Sequence, residues 1–147
     1  MDCIERTIVL HAPRARVWRA LARADEFSAW FGVALEGAFV PGARLTGRMT
    51  RGGQGRVDLE IMVERVEPEQ LLSYRWHPYA VEPGADDAPE PTTLVEFRLA
   101  DVAEGTQLTV VESGFDGIPL ARRASAFRKH DAGWAAQFAN LARYVVA

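Results

Sequence analysis

The chain has 147 residues, of which 48% are hydrophobic and 25% charged, with a net charge of −3 at pH 7. A chain of this length buries about two-thirds of its unfolded surface, so it needs no disulfide or metal to fold. Its acidic balance argues against a nucleic-acid partner or an anionic membrane surface. One cysteine, Cys3, rules out an intramolecular disulfide and a thiolate metal cluster. Its place near the start of the first strand predicts a buried, inert thiol.

Residues 4–10 read as a strand, with Ile4, Val9 and Leu10 apolar and Glu5 and Arg6 polar. Pro13 suits the first turn of a helix that carries Val17 and Leu21 at i, i+4. A second helical stretch carries Phe27, Trp30 and Phe31 and ends at Gly32. Residues 33–35 then begin a run of strands, with turns expected at Pro41-Gly42 and at Gly52-Gly53-Gln54-Gly55. Val57, Leu59, Ile61 and Val63 alternate with polar residues and Met62, the clearest period-two signal in the chain. Leu72, Tyr74 and Trp76 share one face of the next strand, Val95, Phe97 and Leu99 one face of another, and Leu108 and Val110 one face of the last.

Residues 78–91 hold four of the eight prolines and the acids Glu82, Asp86, Asp87 and Glu90, so a long irregular loop is expected there. From about Arg122 the period becomes helical. Phe127, Trp134 and Leu141 repeat every seven residues, and Asp131, Phe138 and Val145 form the neighbouring row. Arg128, Lys129, Gln137, Asn140 and Arg143 are assigned to the wet face.

Strands joined by short turns form an antiparallel meander, because parallel neighbours need crossover helices. Each strand has one dry face that must be covered, and the long C-terminal helix is the only partner large enough. A twisted sheet of about seven strands is wider than one helix, so it must curl around it. The expected fold is therefore α+β, with residues 1–147 forming one domain. A curved antiparallel sheet surrounds the C-terminal helix, and two short helices follow strand 1. A cavity is expected between sheet and helix, lined by Leu59, Ile61, Tyr74, Trp76, Val95, Phe97, Glu112, Trp134 and Phe138.

The stretches Ala12-Pro13-Arg14-Ala15-Arg16-Val17-Trp18-Arg19-Ala20-Leu21 and Phe27-Ser28-Ala29-Trp30-Phe31-Gly32 resemble the opening of the START/polyketide-cyclase/birch-pollen-allergen superfamily. More narrowly, they resemble the branch named after activators of the heat-shock-protein-90 ATPase. Residues 105–115 and the helix from Gly133-Trp134 to Leu141 and Tyr144 agree with that branch. The resemblance covers essentially the whole chain and implies a helix-grip fold with an internal cavity. The co-chaperones of the branch carry an additional N-terminal domain. This sequence starts at the first strand, so that domain is not expected.

Glu112 continues the inward row of Leu108 and Val110, so strand parity turns its carboxylate toward the helix. A carboxylate there must be paired, hydrogen-bonded or raised in pKa, unless it reaches water at the sheet's open end. His130 either faces the sheet and meets Glu112 or a ligand, or sits partly exposed at the edge of the helix stripe. His11 and His77 read as surface or turn residues, and the three histidines lack metal-ligand spacing. Arg48, Arg75 and Arg98 have outward parity, which a one-residue slip would reverse.

Three functions fit this sequence. The first is binding of a small hydrophobic or aromatic molecule, with no cofactor. The second is a cyclase- or hydratase-like enzyme using Glu112, Tyr74 or His130 as acid or base. The third is a protein-interaction domain with a chaperone or other partner. No membrane partner is expected, and the absence of an apolar targeting segment at the N-terminus points to the cytoplasm.

Overall fold

The computed structural model describes residues 3–49, 58–77, 92–118 and 120–146. Seven strands form one antiparallel sheet: β1 (Cys3–Leu10), β2 (Val33–Glu36), β3 (Arg44–Met49), β4 (Asp58–Glu67), β5 (Leu71–Trp76), β6 (Thr93–Val102) and β7 (Gly105–Ser113). Two short helices, α1 (Arg14–Ala22) and α2 (Ala24–Phe31), follow β1, and a 27-residue helix, α3 (Leu120–Val146), ends the chain. The expected turn at residues 52–55 and the expected loop at 78–91 lie outside the described residues.

The strand order is β1-β7-β6-β5-β4-β3-β2. From β2 to β7 the sheet is the expected meander. The first strand then closes against the last, pairing from Cys3 opposite Ser113 to Leu10 opposite Thr106. The curved sheet folds around α3, and this is a helix-grip fold.

Local chemistry explains the elements. In α1 the buried residues are Val17, Ala20 and Leu21, at i, i+3 and i+4. In α2 they are Phe27, Trp30 and Phe31, and Gly32 ends the helix in the left-handed conformation at φ 85°. The Trp30 indole donates to the Ala20 carbonyl at 2.9 Å, which locks the two helices together. Gly47 in β3 is needed for contact, because a Cβ there would lie 2.5 Å from the Ala34 carbonyl oxygen.

The inward rows agree with strand parity. Ile61, Val63, Leu72, Tyr74, Trp76, Val95, Phe97, Leu99, Leu108 and Val110 are all buried. A bulge between Val63 and Arg65 shifts the register of β4 against β5, so that Val66, opposite Leu72, packs on the core. Simple alternation does not foresee this. On α3 the buried positions are Ala126, Trp134, Phe138, Leu141 and Val145. Phe127 is only half-buried and packs on Phe115 at 5.1 Å between ring centroids.

Arg48 and Arg98 are exposed, as outward parity requires. Cys3 departs from expectation. Its side chain is exposed, because the residue that alternates inward at the start of β1 is Ile4. Among the described residues no helix is long and apolar enough to cross a membrane.

Candidate functional site

The site grows from one buried carboxylate. Glu112 sits on β7 with Ile4 of β1 on one side and Val95 of β6 on the other. It is completely buried. Four donors meet it. The indoles of Trp76 on β5 and Trp134 on α3 donate to Oε2 and Oε1, at 2.9 and 2.8 Å. The Thr93 hydroxyl on β6 donates to Oε2 at 2.5 Å. Nδ1 of His130 on α3 lies 2.8 Å from both oxygens.

Two opposing effects set the charge of Glu112. Burial pushes its pKa up, while the hydrogen bond and charge of His130 and the donors Thr93 and Trp76 pull it down. The donors win, and the carboxyl titrates below its ordinary range. Glu112 is therefore an anion at neutral pH. Of its four partners among the described residues, three are permanently uncharged, and His130 is the one of the four that can change charge.

An aromatic cluster surrounds this centre. Trp76 and Trp134 stack with centroids 5.5 Å apart and planes at 21°. Phe31 from the end of α2 packs on both, at 5.9 and 6.4 Å. His130 stands edge-on to Trp76 and Phe115. Phe97 and Phe138 pack on Trp134 from deeper positions.

Above the cluster a cleft of about 150 Å³ opens between α2, β5 and α3. Phe31, Trp76, Lys129, His130, Gly133, Trp134 and Gln137 line it. Gln137 closes one side by donating to the Phe31 carbonyl at 2.9 Å. Two broader hollows, of about 510 and 460 Å³, lie beside α2–β2 and over β2–β4. Neither has a fully buried polar side chain in its wall.

Of the nine residues expected to line a cavity, Glu112, Trp76 and Trp134 converge on this centre, and the two tryptophans reach the cleft. Ile61, Tyr74, Val95, Phe97 and Phe138 are buried in the packed core behind it, and Leu59 packs at its margin. The Tyr74 hydroxyl is fully buried and meets no hydrogen-bond partner among the described residues. Burial and the nearby Glu112 charge hold its pKa well above the usual phenol value, so it stays protonated.

Of the two positions open to His130, the structure gives the one that meets Glu112, with 17% of the side chain still exposed. Sequence reasoning missed Thr93, which continues the inward row of Val95, Phe97 and Leu99 by two residues. It also missed Lys129, Gly133 and Gln137, which border the helix stripe.

Residues 11–146 match the family described as Activator of Hsp90 ATPase homolog 1-like protein. The chain belongs to this family. Membership places it in the START/polyketide-cyclase/birch-pollen-allergen superfamily. No curated protein matches this member of the family. Several solved structures share its fold. Protein MLL2253 from Mesorhizobium loti is 23% identical, with a TM-score of 0.77, over 97% of this chain and 96% of that one. DynU16, a protein in the dynemicin biosynthetic locus, is 28% identical, with a TM-score of 0.76, over all of this chain and 48% of that one. This chain thus spans about half of DynU16. The Aha1 dimer from Colwellia psychrerythraea is 19% identical, with a TM-score of 0.72, over 99% and 96%.

Proposed function

We propose that this domain binds a small aromatic molecule in the cleft between α2, β5 and α3, with Phe31, Trp76 and Trp134 as its walls. The observation that carries this reading is Gly133. It stands inside a 27-residue helix, where glycine costs about 1 kcal/mol relative to alanine. Packing does not demand it, because a Cβ there would meet nothing within 4 Å. What the missing side chain provides is open space beside two indoles.

Size and chemistry fit the reading. A cavity of roughly 150 Å³ holds one aromatic ring. This cleft is smaller than the usual ligand pocket of about 300–1,000 Å³, so it fits a single ring or the ring end of a longer molecule. The other residues expected to line a cavity, Leu59, Ile61, Tyr74, Val95, Phe97 and Phe138, then form the wall behind the site. The family's place in a superfamily that includes polyketide cyclases supports a role for small molecules, as does the biosynthetic setting of DynU16.

The test is a titration with substituted benzenes and naphthalenes, followed by tryptophan fluorescence and by backbone NMR shifts. Binding should perturb the signals of Gly133 and of the Trp134 indole. Gly133→Leu should fill the cleft and weaken binding at least about tenfold, the effect of losing roughly 1.4 kcal/mol. Equal binding by a folded Gly133→Leu variant would place the ligand elsewhere and end this reading.

A further inference from the structure

We infer that the cleft takes aromatic carboxylates, with the ring over Gly133 and the carboxylate on a short arm that reaches Lys129 at the rim. The inference rests on the cleft being the ligand site and names the class of ligand held there.

A mostly apolar pocket fixes a ligand's orientation through its few polar groups. Most of those in this wall are already engaged. The indoles of Trp76 and Trp134 donate to Glu112. Gln137 donates to the Phe31 carbonyl at 2.9 Å and accepts from Asn140 at 3.2 Å. His130 meets Glu112 at 2.8 Å and has a further interaction besides. Lys129 is the lining side chain with polar atoms that makes no hydrogen bond or ion pair among the described residues, and it is exposed. A lysine ammonium only donates, so its complement is an acceptor, and an anionic one gives the stronger bond.

The helix sets the distance between the two parts of the ligand. Lys129, Gly133 and Gln137 stand at i, i+4 and i+8, in one row along α3. Each step along that row rises about 6 Å, at 1.5 Å per residue. Side chains on a helix lean toward its N-terminus, so Lys129 leans away from the open space at Gly133. A carboxylate attached directly to the ring falls short of it, and one carried on a two-carbon arm spans the turn.

The charges favour the same orientation. Glu112 is a completely buried anion bonded to both wall indoles. It repels a carboxylate that enters first, so the ring goes in against Phe31, Trp76 and Trp134 and the anion stays at the rim. There it keeps part of its hydration, which avoids the cost of burying a charge. A cationic ligand would instead meet Lys129 at the entrance.

Hydrocinnamate and hydrocinnamamide test the inference, because they share one ring and one two-carbon arm and only the first is charged. Binding to the wild-type protein, followed by NMR shifts, should favour the carboxylate about fivefold, a reasonable value for an ion pair at a partly exposed rim. The preference should vanish at about 1 M salt, where the screening length is roughly 3 Å. Lys129 is itself part of the wall, so each variant is read by the ratio of its two affinities, in which the shared ring contact cancels. Lys129→Gln should bring that ratio to about one, and Lys129→Arg should keep it, as expected of charge rather than shape. Equal binding of the two compounds by the wild-type protein, or a ratio that survives either high salt or Lys129→Gln, would overturn the inference and leave the aromatic cleft standing. Failure of both compounds to perturb the Gly133 and Trp134 signals would overturn the cleft as well.

Discussion

Glu112 shows how one residue can govern both stability and the site. Replacement by glutamine keeps the shape but puts an NH₂ group where donors already converge. At least one of Trp76, Trp134, Thr93 and His130 must then lose its acceptor. A buried group left unsatisfied costs about 1–3 kcal/mol, and a broken buried pair about 3–5. Glu112→Gln should therefore destabilise the fold by about 2–4 kcal/mol, measured as a lower urea midpoint with an unchanged slope. Acid adds a second expectation. The folded-state pKa lies below the ordinary value, so the unfolded chain binds this proton more readily, and stability rises with pH. The contribution is complete above the ordinary value of 4.5 and is lost as pH falls through the lower folded-state value. The gap between wild type and Glu112→Gln should narrow in that window. A gap that stays constant from neutral pH into acid would show that Glu112 is not held as an anion.

At the scale of elements, α3 makes a compromise that can be measured. Gly133→Ala removes the conformational cost of glycine and adds a methyl that meets nothing within 4 Å. It should stabilise the protein by about 0.5–1 kcal/mol, which raises the melting temperature by a few degrees in a domain of this size. A lower melting temperature would mean that the helix needs the glycine for backbone reasons.

Elements were also what the sequence made most legible. Period two named the inward rows of β5, β6 and β7, and through them the inward direction of Glu112, while leaving open whether its carboxylate reached water. Period seven named Trp134 and Leu141. The convergence of four donors was not legible, because it depends on which strands are neighbours. Trp76 and Glu112 are 36 residues apart and lie on strands separated by β6. Thr93 shares the parity of Val95 but has no apolar side chain to mark it. The bulge in β4 escaped for a similar reason, since an extra residue erases the alternation that would reveal it. The expected cavity was drawn from sheet width alone. Side-chain volume decides how much space remains, and here Phe31, Trp76, Phe97, Trp134 and Phe138 pack against one another in one aromatic cluster.

For the whole molecule, the decisive feature is the closure of the sheet by its first strand. The family match begins at residue 11, after β1 has ended. A chain starting at His11 would keep every matched residue, so the match alone would suggest an intact domain. The structure argues otherwise. β1 pairs with β7 along its whole length and buries Ile4 and Leu10, with Ile8 packed against the core. Fully burying two aliphatic side chains contributes about 1.5–3 kcal/mol each. Loss of the strand would also leave β7 as an exposed edge carrying Val110 and Glu112, a template for pairing with other chains. Total stabilities of about 5–15 kcal/mol leave little margin for such a loss. The Glu112 site would suffer as well, since Ile4 lies opposite Glu112 in the β1–β7 register. Deletion of residues 1–10 should therefore abolish cooperative unfolding and give aggregation-prone protein with collapsed NMR dispersion. A residue 11–147 protein that melts cooperatively near the wild-type midpoint would show that β1 is an accessory strand and that the grip on α3 is complete without it.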